Sequence, residues 1–143
     1  MDRIIFKLKK ILVLIFLYSI IILNTNCTSD YSKNLGSGYI YRDEGCEEKE
    51  IFCEQANGGK IPKTVLVYDY DRHYIIAKQK PQKDDSNILL DDNIYEYKYG
   101  YDTIYYWIIL KDFKKVIGPL TEDEFLKAII KYKVSKTLKL WNI

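Results

Sequence analysis

Cys46, Cys53 and His73 carry the nucleophilic, ligating and proton-transferring chemistry in the body of this chain. Cys46 and Cys53 stand seven apart. In an exported domain such a pair closes a small ring as a disulfide, which the chain-entropy relation values at about 2.5 kcal/mol. Two free thiols are one alternative. Metal ligation is another, but it calls for further His or Cys at ligand spacing, and the chain has 1 His. His73 lies beside Asp71 and Asp69. A carboxylate–His pair does acid–base work, but a lone His in a turn reads more simply as solvated. Tyr95, Tyr97, Tyr99 and Tyr101 alternate with Glu96, Lys98 and Gly100, the period of a strand. Such a row is either a binding platform for sugar or peptide, or one packed face of an edge strand.

Other chemistry has no support in the residues. Gly36/Gly38 and Gly58/Gly59 are isolated pairs without the spacing that cradles phosphate. There is no G-x-S-x-G elbow. Neither Cys46 nor Cys53 has a nearby His to orient it as a nucleophile. The acids Asp43, Glu44, Glu47, Glu48 and Glu50 read as a solvated surface and make no EF-hand loop. No catalytic residue, metal site or cofactor is expected.

The elements that must position these residues are clearest near the C-terminus. Thr103–Leu110 is β-branched and aromatic throughout, a strand buried on both faces. Lys111–Lys114 turns, Lys115–Ile117 returns, and Gly118–Pro119 stops the return strand. Thr121 then opens a helix to Lys133. Its hydroxyl caps the first turn, and Glu124 completes a capping box. Glu122, Asp123 and Glu124 at the start, with Lys131 and Lys133 at the end, suit the helix dipole. Upstream, Ile61–Tyr70 and Tyr74–Lys78 form a hairpin about Asp71–Arg72. Ile94–Tyr101 reads as a strand, with an irregular edge segment or a short helix as alternatives, and Thr137–Trp141 reads as a last short strand. The expected core is Val65, Val67, Ile75, Ile76, Ile104, Tyr106, Trp107, Ile108, Phe125, Ile129 and Ile130.

The N-terminus gives an address. Arg3, Lys7, Lys9 and Lys10 precede an apolar run, Ile11–Leu23, broken only by Ser19. This is an export-signal layout, and the run is short for a helix that must cross about 30 Å of hydrocarbon. Cys27 follows, then Thr28, Ser29 and Asp30. The arrangement resembles a bacterial lipoprotein signal, in which the cysteine carries a diacyl group on its sulfur and becomes the first mature residue. Asn26, directly before it, departs from the small residue usual there. Ordinary secretion or a retained anchor is the competing reading. The chain has 22 basic and 20 acidic residues; residues 1–26 hold four of the former and one of the latter, so 18 and 19 remain, net about −1. A nucleic-acid footprint needs a clustered basic face, and none is visible.

Two resemblances add to this. Asp30–Tyr31, Gly38–Tyr41, Tyr68–Lys80, Tyr105–Ile109 and Gly118–Phe125 resemble, in order, a family of small bacterial lipoproteins known as the domain of unknown function numbered 3997. The resemblance implies a membrane-anchored location and brings no catalytic residues. The final third, with Tyr105–Trp107, Gly118–Thr121, Glu124–Phe125 and Leu140–Trp141, is similar to the GYF-type peptide-binding module, whose aromatics receive proline-rich peptides. Trp107 here follows its tyrosines rather than preceding them, and Tyr132-Lys133 stands where a glycine is usual.

The expected protein is therefore α+β. It has a signal helix over residues 1–26, a flexible tether over 27–38, and one domain over 39–143. That domain is an antiparallel sheet of four to six strands with one C-terminal helix packed on it. It is expected to be a non-enzymatic envelope lipoprotein, held to the membrane by its lipid and binding a protein or peptide through aromatic residues. An immunity-type toxin inhibitor presenting Asp43–Glu54 to a basic target is the alternative, and an envelope hydrolase a distant third.

Overall fold

The computed structural model describes residues 30–45, 48–55, 57–83 and 95–141. Eight strands form two four-stranded antiparallel sheets. The first holds β1 (Tyr31–Gly36), β2 (Tyr39–Asp43), β3 (Lys49–Cys53) and β4 (Lys60–Ile61) in sequence order. The second holds β5 (Val65–Tyr70), β6 (Tyr74–Gln79), β7 (Tyr105–Leu110) and β8 (Lys115–Leu120), also in order. A 3₁₀ turn, Lys111–Phe113, joins β7 to β8, and one helix, α1 (Glu122–Lys131), follows. The class is α+β as the sequence predicts, but with two stacked sheets in place of one.

The split falls inside the predicted strand Ile61–Tyr70. Pro62 has no amide to donate to a ladder, and Thr64 takes a left-handed φ of 69°. The chain therefore leaves the first sheet after Ile61 and enters the second at Val65. Within the segment expected as a tether over 27–38, Tyr31–Gly36 forms a strand. Tyr31–Gly36 pairs along β2, with Tyr31 opposite Asp43 and Gly36 opposite Tyr39. Leu35 is the one side chain of β1 that is buried, which is why its polar sequence hides a strand.

β7 is the centre of the molecule because both its faces are covered. Trp107 and Ile109 point between the sheets, among Tyr39, Tyr41, Ile51, Ile61, Val65, Ile75 and Ala77. Ile108 and Leu110 point the other way, with Ile76, onto Phe125, Ala128 and Val134. The order of layers is first sheet, second sheet, helix. Each fully buried aliphatic side chain contributes roughly 1.5–3 kcal/mol, so these two faces hold the domain together.

β8 runs on through Gly118–Pro119, where the sequence predicts a stop. It is the end strand of its sheet, so the donor that Pro119 lacks costs no ladder bond on the open side. Gly118 is required there by close approach. A β-carbon on it would fall 2.5 Å from Cε3 of Trp107.

α1 begins as predicted. The Thr121 hydroxyl accepts from the Glu124 amide at 3.3 Å, and the Glu124 carboxylate accepts from the Thr121 amide at 2.8 Å. Phe125 stacks on Tyr106 with ring centroids 4.9 Å apart. The helix ends at Lys131 rather than Lys133. Lys133 takes a left-handed φ of 54°, and the amides of Lys133 and Val134 donate to Ile130 and Ile129. This is a Schellman end with lysine where glycine is usual. Three further expectations are corrected. Ile104 and Ile130, placed in the core, are 47% and 78% exposed. Thr137–Trp141 is no strand; its Lys139 amide is held by Asp69 at 2.9 Å.

Candidate functional site

The predicted tyrosine row is not a strand and not one face. Residues 95–101 are irregular and turn backbone. Tyr95 and Tyr97 turn inward. The Tyr95 hydroxyl donates to the Lys60 carbonyl at 2.8 Å, and its ring meets Trp107 edge-on at 4.8 Å. Burial raises the Tyr95 phenol above its ordinary range. Tyr97 reaches the amide of Gln79. Tyr99 and Tyr101 are exposed. The alternation arises from packing of an irregular segment, and a four-ring platform is not formed.

What Tyr95 does instead is wall a cleft of about 790 Å³. One side of the cleft is the β3–β4 turn, with Phe52, Cys53, Gln55, Asn57, Gly58, Gly59 and Lys60. The other is the 3₁₀ turn running into β8, with Phe113, Lys114, Lys115 and Val116. The turn geometry sets both sides. Gly58 presses on Cys53, where a β-carbon would fall 2.0 Å from Cβ of that residue. The Gly58 carbonyl accepts from the buried Tyr39 hydroxyl at 2.5 Å. Lys114 takes a left-handed φ of 48°, which reverses the chain and leaves Phe113 78% exposed at the rim. Among the described residues, three lysines line the cleft and no carboxylate does. Sequence reading missed it, because Phe113 sits in a polar turn and Phe52 inside an acidic run. The only local hint is an aromatic residue in each of those otherwise charged stretches.

Cys53 is half-buried in this cleft and carries a free thiol. Cys46 and Cys27 lie outside the described residues, as does the signal segment 1–26. His73 sits away from the cleft lining. Asp71 accepts from its backbone amide at 2.8 Å, but the ring pairs with Asp112, 2.7 Å from Nδ1, not with Asp69 or Asp71. Both partners are largely solvent-exposed.

Four acids of the 43–54 stretch, Asp43, Glu44, Glu48 and Glu50, are in ion pairs. Arg42 pairs with Glu50 and, at 3.3 Å, with Glu44; Lys49 pairs with Asp43 at 3.6 Å; Lys63 pairs with Glu48. A second aromatic feature crosses both sheets. Tyr31, Tyr41, Tyr68 and Tyr70 form a ladder with successive centroid distances of 6.3, 4.4 and 6.4 Å. Its rings come from three strands, so no local pattern announces it. Tyr41 and Tyr68 carry phenols pushed up by burial first, Tyr68 to about 12.

A three-layer α+β domain with a cleft between turn and strand edge is the class this geometry defines. The family described as "Protein of unknown function (DUF3997)" matches over residues 38–143, and the chain belongs to it. No curated protein and no solved structure matches this chain. The blocks similar to GYF-type modules fall in β7 and at the β8–α1 junction. Trp107, the ring that would receive a peptide in that comparison, is fully buried.

Proposed function

We propose that this chain is a membrane-anchored, non-enzymatic binding domain of the bacterial cell envelope, lipidated at Cys27, that receives a segment of a partner protein in the cleft beside Phe113. The cleft carries the reading. It is open, it has Phe52, Tyr95 and Phe113 for apolar contact, and residues of two turns and a strand end line it. Clefts of about 300–1,000 Å³ with aromatic walls and a few convergent polar groups are typical ligand sites. The anchor rests on the basic start, the apolar run Ile11–Leu23 and the cysteine after it. The toxin-inhibitor alternative loses support because Asp43, Glu44, Glu48 and Glu50 are already paired.

Panning a random-peptide display library on the purified chain tests the binding reading. Enriched peptides should lose at least about tenfold in affinity on Phe113→Ala, as an exposed aromatic anchor would. Enrichment that is indifferent to Phe113 and Tyr95, or no enrichment, would contradict it.

A further inference from the structure

The charge of the cleft departs from the charge of the chain. Without residues 1–26 the chain is net about −1, yet among the described residues the cleft is lined by Lys60, Lys114 and Lys115 and by no Asp or Glu. Asp112, next to the rim phenylalanine, is engaged by His73 at 2.7 Å. Among the described residues no ion pair engages Lys114 or Lys115, and both are exposed. One sign of charge against a partly enclosed wall focuses field and concentrates oppositely charged ligand. Phe52, Tyr95 and Val116 add apolar lining beside the lysines. Lys115 and Val116 open β8, the end strand, whose outer edge has no neighbouring strand among the described residues. Backbone edge plus side-chain pockets is the layout of strand addition.

We propose that the cleft takes an extended acidic peptide, a stretch with carboxylates flanking an apolar side chain, laid against the outer edge of β8. The carboxylates meet the Lys114 and Lys115 ammonium groups, and the apolar side chain sits between Phe52 and Phe113. This rests on the reading of the cleft as a binding site and adds the chemistry of its occupant.

The test is fluorescence anisotropy of a labelled nonapeptide of three Glu-Glu-Leu repeats, with the full chain in neutral detergent. Its counterparts are a Gln-Gln-Leu nonapeptide, a proline-rich nonapeptide and phosphatidylglycerol vesicles. The acidic peptide should bind, weaken as salt rises, and lose at least about tenfold with Lys114→Glu and Lys115→Glu together. The Gln peptide should not bind. Binding of the Gln or proline-rich peptide that Phe113→Ala abolishes but charge reversal spares would overturn the acidic occupant and leave the cleft reading standing. Lysine-dependent binding of the vesicles, without the acidic peptide, would make this a lipid-headgroup surface and overturn the proposal. No binding of any probe would overturn both readings.

Discussion

Trp107 donates its indole N–H to Oε1 of Gln79 at 2.9 Å, and both side chains are sealed from solvent. Gln79 spends its other end on the Pro62 and Lys63 carbonyls, at 3.2 and 2.8 Å. It therefore ties the crossover between the sheets to the central ring, and through Trp107 to Tyr95 at the cleft wall. Gln79→Leu keeps the volume but strands a buried donor and two carbonyls. The expected loss is about 3 kcal/mol, read as a lower urea midpoint with an unchanged slope.

Lys111 joins the sheets at a second point. Only 2% exposed, its ammonium donates to the carbonyls of Leu35 in β1 and Asp71 in the β5–β6 turn, and lies 5.0 Å from the Tyr70 ring centroid. Burial lowers its pKa, opposed by Asp71 and Asp112. Lys111→Met leaves both carbonyls without that donor and should cost about 2 kcal/mol. Amide exchange should rise first in β1, whose Leu35 carbonyl loses this donor.

The buried phenols set an alkaline limit. Tyr39 and Tyr68 have folded values of about 12 against an ordinary 10.0, raised chiefly by burial, and Tyr41 is raised further still. Above pH 10 the unfolded chain releases protons that the folded chain keeps, so stability falls with rising pH. It is intact below about pH 10 and lost progressively toward 12. Lys111, whose folded value is lowered, acts in the opposite direction as pH approaches 10.5, but it is one group against three. Unfolding midpoints across pH 8 to 12 check this, and Tyr68→Phe should flatten the decline. A level profile would contradict the burial of these rings.

The anchor makes its own prediction. The intact mass of membrane-extracted protein should show loss of residues 1–26 and gain of acyl groups on Cys27. An uncleaved, unacylated chain would contradict lipidation and make the apolar run Ile11–Leu23 the anchor. The same spectrum with and without reductant reads the Cys46–Cys53 pair. A gain of two hydrogens on reduction reports a disulfide, and no change reports the free Cys53 thiol of the structure.

β7, the hairpin about Asp71 and the capped start of α1 were legible because each is specified by neighbours in sequence: a buried apolar run, a turn carboxylate, Thr121 with Glu124. The division into two sheets was not, because it depends on Pro62 and Thr64 breaking what otherwise reads as one strand. β1 has a single buried residue and no alternation to find. The cleft joins residues 52–60 to 113–116 and Tyr95, and the Gln79–Trp107 and Lys111–Leu35 bonds span 28 and 76 residues. Nothing local encodes such pairings. The tyrosine row misled for a related reason: period two describes a strand only when the backbone is extended, and Gly100, with φ of 78°, lies in a run of turns.

Photo-crosslinking in cells tests the central claim most directly. The photoreactive analogue p-benzoylphenylalanine replaces Phe113 at the cleft rim and, as a control, the equally exposed Ile130 on α1. The account predicts a discrete crosslinked polypeptide at position 113, absent at position 130 and lost with Lys114→Glu and Lys115→Glu, whose crosslinked peptide is acidic. Equal crosslinking at both positions, or none at 113 alongside a folded, membrane-located chain, would contradict it.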